Sequence, residues 1–236
     1  MKQLSAYKAV IFDFDGTLYD NSGIAKAMIL SHPFRFSFMK AERDTRRKLK
    51  GRDFETPENF NNEFYQKASK NAGFSAEHFG KWYESRYLRY LEGALKKKKF
   101  RCHPQIFEVF KKLCDSGKKI ALYSDYNLIQ ERTRACGISQ ETLDMCQGFY
   151  SSETLGCLKP APRAFLKIAA DLNARPKDCL VVGDRDDTDG MGARMTDMGF
   201  VQIKTKKAKD ILHFNHPVME WKEFAEKVLN GEDFLA

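Results

Sequence analysis

The chain has 236 residues, a length that fits one large α/β domain or two smaller domains. Hydrophobic residues make up 42% and charged residues 31%, a globular composition that excludes disordered and fibrous proteins. No apolar stretch approaches the roughly 18 residues that a membrane span needs, so we expect no membrane partner. The apolar run before Asp13 is too short for a signal-peptide core, and the six cysteines lack disulfide-framework spacing, which together predict a cytoplasmic protein.

The positive charge of the chain is concentrated in one segment. The net charge is +8, yet residues 26–101 hold 19 Lys and Arg against 9 Asp and Glu, whereas the rest of the chain holds 21 against 23. The densest run in this segment consists of Lys40, Arg43, Arg46, Arg47, Lys48, Lys50 and Arg52. Such a run is either a solvated helix face or a means of steering an anionic substrate. No recognised nucleic-acid-binding motif accompanies the charge, so we do not expect a nucleic-acid partner.

The first part of the chain predicts a strand followed by a helical insertion. Lys8–Phe12 is an apolar run that leads into the polar turn Asp13–Thr17, as expected for a buried strand that ends there. From about Gly23 to Leu95 the pattern becomes polar, with aromatic residues at helical spacing. The lysine run Lys96–Lys99 marks the end of this insertion.

Beyond the lysine run, strand and helix patterns alternate. The predicted strands are Lys119–Tyr123, Phe149–Ser151, Cys179–Val182 and Phe200–Ile203. The predicted helices run from Pro104 to Gly117, from Leu128 to Cys136, from Arg163 to Leu172, within Gly190–Asp197, and from Pro217 to Leu229. This alternation predicts the α/β class, with a doubly wound parallel sheet covered by helices on both faces.

Polar residues follow three of the predicted strands, where ligand sites of such sheets lie. Asp13 and Asp15 end the first strand, Ser124 follows the second and Asp184 follows a later one. Side chains at i and i+2 of an extended chain point to the same side, so Asp13 and Asp15 would face a common space and repel each other without a cation. Three carboxylates with open positions suit hydrated Mg²⁺ better than zinc. Gly16 would allow a positive φ in the turn after Asp15.

The run Asp13-Phe14-Asp15-Gly16-Thr17-Leu18 resembles the D-x-D-G-T-L signature of the haloacid dehalogenase (HAD) superfamily. Ser124, Lys159-Pro160 and the stretch from Gly183-Asp184 to Asp189 are similar to its three later motifs, in the family's order. The resemblance implies a Rossmann-like core formed by residues 1–21 and 97–236. An α-helical cap of residues 22–96 would be inserted into that core. The phosphoglycolate phosphatase and β-phosphoglucomutase subfamily is the most similar one.

The resemblance also implies a chemistry, that of a Mg²⁺-dependent phosphatase. Asp13 would be the nucleophile that forms an aspartyl-phosphate, and Asp15 the acid/base that protonates the leaving alcohol and then activates water. A second acid at the position of Asp15 is similar to a phosphatase feature and is absent from the true dehalogenases. Phosphoryl transfer relies on positioning and charge neutralisation, which a cation with Lys and hydroxyl donors can supply.

The remaining site residues implied by the resemblance form two sets. The Mg²⁺ ligands would be the carboxylates of Asp13 and Asp184 and the backbone carbonyl of Asp15, with Asp189 supporting the metal or the lysine. The phosphate of the substrate would be held by Ser124, Lys159 and Thr17. Asp125 is predicted to be a turn residue, and the substrate to be a small soluble phosphorylated metabolite.

Two alternative functions stay open at this stage. One is an intramolecular phosphotransferase of the β-phosphoglucomutase type, and the other is a catalytically silent HAD-fold protein whose basic cap binds an anionic partner. Magnesium-dependent turnover of a generic phosphate ester would separate the silent protein from both enzymes. The sequence carries no signal for an oligomeric state.

Overall fold

The computed structural model describes residues 3–205 and 216–234, and its centre is a parallel sheet of six strands. The order across the sheet is β3-β2-β1-β4-β5-β6, so the first strand of the chain lies in the interior of the sheet. Every strand pair is parallel. The strands are β1 (Ala9–Asp13), β2 (Lys119–Ser124), β3 (Cys146–Ser151), β4 (Cys179–Gly183), β5 (Gly199–Ile203) and β6 (Val218–Met219).

Five α-helices occupy the chain between β1 and the lysine run Lys96–Lys99, in the place of the predicted helical insertion. They are α1 (Ile24–Ser31), α2 (Phe36–Leu49), α3 (Pro57–Ala72), α4 (Ala76–Trp82) and α5 (Leu88–Leu95). A π-helical turn, Tyr83–Tyr87, joins α4 to α5. These five helices and that turn are called the helical insertion below. The division of the chain into a core and a cap of residues 22–96 stays a prediction.

Local sequence signals explain where the helices of the insertion begin and end. Thr56 caps α3, since its hydroxyl accepts a hydrogen bond from the Asn59 backbone N–H at 3.1 Å, and Pro57 follows at the first helical position. Gly73 ends α3 with φ of 75°, a left-handed conformation that favours glycine. Ser75 caps α4 in the same way through the His78 N–H at 3.2 Å.

Seven further α-helices follow the helical insertion, the first of them before β2 and the other six after it. They are α6 (Ile106–Asp115), α7 (Ile129–Ala135), α8 (Gln140–Asp144), α9 (Ser152–Leu155), α10 (Pro162–Asp171), α11 (Met191–Met195) and α12 (Trp221–Asn230). With the parallel sheet they confirm the predicted α/β class and its Rossmann-like, doubly wound architecture. None of the helices in the described residues has the length and apolar character needed to cross a bilayer.

Hydrophobic clusters lie on the sheet and inside the helical insertion. Strand β1 is buried along its whole length, as expected for an interior strand of a parallel sheet. The cluster of the insertion is aromatic and includes Phe38, Phe60, Phe64, Phe79 and Trp82. Leu158, from the segment before α10, also packs into this aromatic cluster. The insertion therefore has a core of its own that is joined to the rest of the chain.

The last predicted helix begins too early. The sequence predicted a helix from Pro217 to Leu229, but Val218–Met219 forms strand β6 and the helix begins at Trp221. The Pro217 carbonyl accepts a hydrogen bond from the Gln202 N–H at 2.9 Å, and the Met219 carbonyl accepts one from the Lys204 N–H at 2.7 Å. Pairing with β5 therefore overrides the helical pattern here. The short helices α8 and α9 were not predicted.

Candidate active site

The carboxyl ends of β1, β2 and β4 meet at one edge of the sheet, below the helical insertion. A cavity of about 480 Å³ opens there. Its floor includes Asp13, Asp15, Lys159, Asp184 and Asp189, and its opposite wall comes from α1 and α2. The structure thus brings together most of the residues that the sequence predicted for a site, at the edge where ligands of parallel sheets bind.

Three buried carboxylates and one lysine form the centre of this floor. Oxygen atoms of Asp13, Asp184 and Asp189 all lie within 4.8 Å of one another. The Lys159 ammonium donates to Asp13 Oδ1 at 2.7 Å and to Asp189 Oδ1 at 2.8 Å, and its third bond goes to the Tyr123 carbonyl at 2.9 Å. Burial lowers the pKa of Lys159, but Asp13 and Asp189 outweigh this and hold it well above its usual value. Lys159 is therefore charged.

The electrostatics of the carboxylate group favour a divalent cation. Burial, together with repulsion from Asp189 and Asp15, raises the pKa of Asp13 to about 7 against the opposing effect of Lys159. Burial and the charges of Asp13 and Asp189 also raise the pKa of Asp184 well above its usual value. Three carboxylates and one ammonium leave a balance of two negative charges, which one divalent ion would neutralise. Oxygen donors of this kind suit Mg²⁺.

The turn after β1 depends on glycine at one position. Gly16 has φ of +103°, as predicted, and a Cβ built there would overlap the carboxylate of Asp184. A side chain at this position would therefore be strained and would displace a member of the carboxylate group. The Asn21 side chain closes the same turn by donating to the Asp15 carbonyl at 3.0 Å.

The side chain of Asp15 points to a different set of partners from that of Asp13. Its carboxylate accepts hydrogen bonds from Arg132, from the Tyr19 hydroxyl at 2.7 Å and from the Ser124 hydroxyl at 2.7 Å. Arg132 is fully buried, and its guanidinium lies 5.0 Å from the centre of the Phe14 ring. Burial alone would raise the pKa of Asp15, but Arg132 and the two hydroxyls lower it below its usual value. Asp15 is thus an oriented, ionised carboxylate.

Two predicted phosphate-binding residues are engaged with the acidic side chains in this structure. Thr17 is fully buried and its hydroxyl donates to Asp13 Oδ2 at 2.8 Å, so it orients that carboxylate. Ser124 is also fully buried, and besides donating to Asp15 it accepts from the Tyr126 N–H at 3.1 Å. Contact of either hydroxyl with a phosphate stays a prediction. Thr17 lies beside Asp13, and Ser124 lies beside Asp15.

Arg46 corrects the idea that the basic run of α2 is a uniformly solvated face. Its side chain is only 8% exposed, whereas that of Arg43 is 54% exposed. Arg46 donates to Glu42 at 2.8 Å, to the Tyr83 hydroxyl at 2.7 Å and to Glu153 at 3.2 Å. A fourth bond reaches the Asp125 carbonyl at 2.8 Å. Arg46 therefore joins the helical insertion to the segments after β2 and β3.

The sequence did not single out Arg132, Tyr19 or the wider role of Asp125. Arg132 falls three residues after Ile129 and four before Cys136, at a position where a helix of this pattern buries an apolar side chain. This helical periodicity was the signal in the sequence that could have indicated a buried Arg132. Asp125, predicted to be a turn residue, accepts from the Ser152 hydroxyl at 2.5 Å and from the Lys159 N–H at 3.3 Å. It therefore ties the loop after β2 to the lysine.

Comparison with known proteins identifies the family. The sequence profile of the haloacid dehalogenase-like hydrolases matches residues 7–195, which include the carboxyl ends of β1, β2 and β4. The chain belongs to this family, and its predicted membership is confirmed. The protein is therefore a hydrolase of the haloacid dehalogenase-like class.

Individual relatives agree with this assignment. A glyceraldehyde 3-phosphate phosphatase from Pyrococcus furiosus is 25% identical over 94% of this chain and 88% of its own length. A glyceraldehyde 3-phosphate phosphatase from Methanopyrus kandleri is 38% identical over a segment of 25% of this chain, which spans only 26% of that protein. Among solved structures, YfnB from Bacillus subtilis bound to magnesium has a TM-score of 0.64 at 16% identity, over 97% of this chain and all of that one. Both curated names agree with the predicted phosphatase type.

Proposed function

We propose that this protein is a Mg²⁺-dependent phosphatase that hydrolyses a small phosphomonoester through an aspartyl-phosphate on Asp13. The observation that carries the proposal is the buried group of Asp13, Asp184, Asp189 and Lys159 on the floor of a cavity of metabolite size. Hydrogen bonds order the carboxylates of Asp13 and Asp189. When all three carboxylates are ionised, they exceed the single ammonium by two negative charges. Such a group is suited to positioning a phosphate ester and neutralising its charge.

In the first step an Asp13 oxygen attacks phosphorus while the bond from phosphorus to the leaving oxygen breaks. Thr17 and Lys159 hold the Asp13 carboxylate in place for this attack, one on each oxygen. Asp15, in its acid form, gives its proton to the leaving oxygen. The negative charge of a bound phosphate ester would raise the pKa of Asp15 towards that form.

In the second step water attacks the phosphorus of the aspartyl-phosphate and the bond to Asp13 breaks. Asp15 takes the proton from this water, and inorganic phosphate leaves. The bonds from Arg132, Tyr19 and Ser124 favour the ionised form of Asp15, which is the form needed here. A carboxylate nucleophile divides one difficult hydrolysis into two easier displacements.

Binding of the metal is assigned to Asp13, Asp184 and the Asp15 carbonyl, with Asp189 as a supporting residue that also fixes Lys159. When bound, Mg²⁺ would supply charge neutralisation to the phosphoryl oxygens. The proposal rests on the proximity of the carboxylate oxygens and on their charge balance. The magnesium-bound form of YfnB, which shares the fold, is consistent with it. Lys159 and Ser124 are assigned to the phosphoryl oxygens, for which each would redirect a hydrogen bond that it donates to a protein oxygen in this structure.

The substrate proposed is a small phosphorylated metabolite, held under a cap formed by residues 22–96. Both curated relatives are named for glyceraldehyde 3-phosphate, which is a molecule of this class. A cytoplasmic location is also proposed, because all six cysteines are free thiols. The names of these relatives favour hydrolysis over the phosphotransferase alternative.

A phosphate-release assay tests this function. Purified protein with Mg²⁺ should release phosphate from p-nitrophenyl phosphate and from members of a panel of sugar phosphates and phosphoacids. Asp13→Asn should abolish release, since binding alone cannot supply the total acceleration, up to ~10²¹-fold, that enzymes give to phosphate-monoester hydrolysis. Asp171→Asn, which changes a surface ion pair with Lys167, is the matched control and should be fully active. Near-normal release by folded Asp13→Asn would refute the mechanism.

A further inference from the structure

Two cysteines that are distant in sequence lie against each other. Cys102 follows the helical insertion, and Cys136 comes directly after α7. The Cys102 N–H donates to the Cys136 carbonyl at 2.8 Å, and the two thiols form a second hydrogen bond. Backbone bond lengths then limit the separation of the two Cα atoms to about 6.7 Å. A disulfide spans up to about 6.8 Å between Cα atoms, so the pair is within its reach.

The two thiols differ in reactivity. Cys102 is half-buried and Cys136 is fully buried. The hydrogen bond from Cys136 and the charge of Arg101 lower the pKa of Cys102 to about 7, although partial burial opposes them. The same bond, together with burial, raises the pKa of Cys136. The Thr133 carbonyl, 3.2 Å from the Cys136 sulfur, competes for its proton, but a Cys102 thiolate is the stronger acceptor.

The backbone beside Cys136 leaves room for the cation that favours the thiolate. A Cβ built on Gly137 would lie 2.5 Å from Arg101 Nη1. The guanidinium therefore lies against the chain next to Cys136, and its own residue precedes Cys102. A partly exposed thiolate near a positive charge, with a buried thiol in contact, is the arrangement of an oxidant-sensitive cysteine and its resolving partner.

Both cysteines are attached to residues that hold Asp15. The Cys136 N–H donates to the Arg132 carbonyl at 3.1 Å, one helical turn earlier, and Arg132 bonds the Asp15 carboxylate. Cys102 pairs with Tyr19 in an isolated antiparallel bridge, and the Tyr19 hydroxyl donates to the same carboxylate at 2.7 Å. A change in the separation of the two cysteines therefore acts on two of the donors that orient Asp15.

We propose that Cys102 is a site of reversible oxidation by peroxides, that it then forms a disulfide with Cys136, and that this disulfide lowers turnover by displacing Arg132 and Tyr19. The oxidation site rests on the thiol pair alone, whereas the effect on turnover rests on the proposed function. A disulfide holds its sulfur atoms about 2.05 Å apart, closer than two thiols in contact, so the attached segments must shift. A misplacement of about 1 Å in an active site can cost about 100-fold in rate.

The oxidation takes place in two balanced steps. The Cys102 thiolate attacks one oxygen of hydrogen peroxide, the O–O bond breaks, and the departing hydroxide takes a proton from solvent, which leaves a sulfenic acid and water. The Cys136 sulfur then attacks the Cys102 sulfur and the S–O bond breaks. The released hydroxide carries away the Cys136 proton as a second water. Two thiols thus lose two electrons to the peroxide, and a dithiol such as dithiothreitol returns them by thiol–disulfide exchange.

Mapping of the disulfide tests the oxidation site without any assay of activity. Reduced protein is treated with hydrogen peroxide, the excess is removed with catalase, and free thiols are alkylated in urea. We expect four alkylated cysteines instead of six, with a bond between Cys102 and Cys136. Fragmentation of the linked tryptic peptides is needed, because the peptide that contains Cys136 also contains Cys146 and Cys157. Reduced Cys102 after treatment, or oxidised Cys102 without a bond to Cys136, overturns the proposal.

Variants separate the roles of the two cysteines. Cys136→Ala keeps an apolar side chain at the buried position and should leave Cys102 as a sulfenic acid that dimedone labels. Cys102→Ser should prevent the disulfide altogether. Cys114→Ser is the matched control, because Cys114 is also half-buried but burial raises its pKa, and this variant should form the Cys102–Cys136 bond as the wild type does. Loss of the bond in Cys114→Ser, or its absence from dimedone-labelled Cys136→Ala as the sole difference from untreated protein, would contradict these roles.

Phosphate release from p-nitrophenyl phosphate tests the effect on turnover. Oxidation should lower kcat of the wild type by about tenfold, and dithiothreitol should restore it, whereas Cys102→Ser should have the same kcat before and after peroxide. If the disulfide forms and kcat is unchanged, control of Asp15 is overturned and the oxidation site stands. If neither the reduced nor the oxidised protein releases phosphate, the proposed function fails and the effect on turnover fails with it. The mapped disulfide still decides the oxidation site in that case.

Discussion

Replacing Arg46 with methionine keeps the length and apolar stem of the side chain but deletes its guanidinium. Glu42 and Glu153 then lie buried without the cation that bonds both of them. The Tyr83 hydroxyl and the Asp125 carbonyl lose a donor as well. Since these partners belong to the helical insertion and to segments after β2 and β3, the change loosens the contact between them.

The expected cost follows from leaving charge buried without a partner. Removing one member of a buried ion pair costs about 3–5 kcal/mol. The lost hydrogen bonds belong to the same network, so their energies do not add to this figure independently. For a protein of this length, 1 kcal/mol lowers Tm by about 2–4 °C, which predicts a fall of about 6–20 °C for Arg46→Met.

Thermal and urea unfolding followed by circular dichroism measure this effect. Arg43→Met is the matched control, because that side chain is 54% exposed on the same helix, and it should change the free energy of unfolding by no more than about 0.5 kcal/mol. Adding Glu42→Gln and Glu153→Gln to Arg46→Met should recover part of the loss, since no buried charge is then unpaired. Equal losses for Arg46→Met and Arg43→Met would refute the reasoning.

Three further predictions concern the same network and the carboxylate group. Burial raises the pKa of Glu153 above its usual 4.5, so the folded state prefers the protonated form of this side chain. The contribution of Glu153 to the free energy of unfolding therefore falls as the pH rises from about 4.5 through the folded-state pKa. The free energy of unfolding of Glu153→Gln relative to wild type should therefore increase across that interval in pH-dependent urea titrations, and a constant difference would contradict this sign. Gly16→Ala should lower kcat about 100-fold through displacement of the Asp184 carboxylate, while circular dichroism reports a folded protein; wild-type kcat would show that the turn tolerates a side chain. Excess chelator should stop phosphate release and Mg²⁺ restore it, and Asp184→Ala should raise the Mg²⁺ concentration for half activity by at least about tenfold; activity in excess chelator would exclude the metal role.

The sheet and the floor of the site could be predicted because their signals are local. Apolar runs such as Cys179–Val182 mark buried parallel strands, and the observed strand β4 extends the predicted one by a single residue. Asp13 and Asp184 stand at the ends of such strands, so the topology alone brings them to one edge. The positive φ of Gly16 could also be predicted, because the chain must turn directly after Asp15 and glycine permits that conformation.

The buried arginines could not be predicted in the same way, because their partners are distant in sequence. Arg132 contacts Asp15 across 117 positions, and Arg46 contacts Glu153 across 107. A helical arginine is ordinarily solvated, and only its partners' positions decide whether it is buried. Strand β6 was missed for a related reason: two residues after a proline give no strand pattern, and pairing with β5 alone defines them.

The central position of β1 has a consequence for synthesis of the chain. Both neighbours of this strand, β2 and β4, are synthesised after the whole helical insertion. Roughly 100 residues are therefore added between the synthesis of β1 and that of its first partner strand, which takes about 5–20 s at ordinary rates of translation. During that interval an apolar strand has both edges unpaired, which invites aggregation. The aromatic cluster of the insertion is drawn almost wholly from residues made in the meantime. It can therefore condense first and shorten the effective loop that β1 and β2 must close.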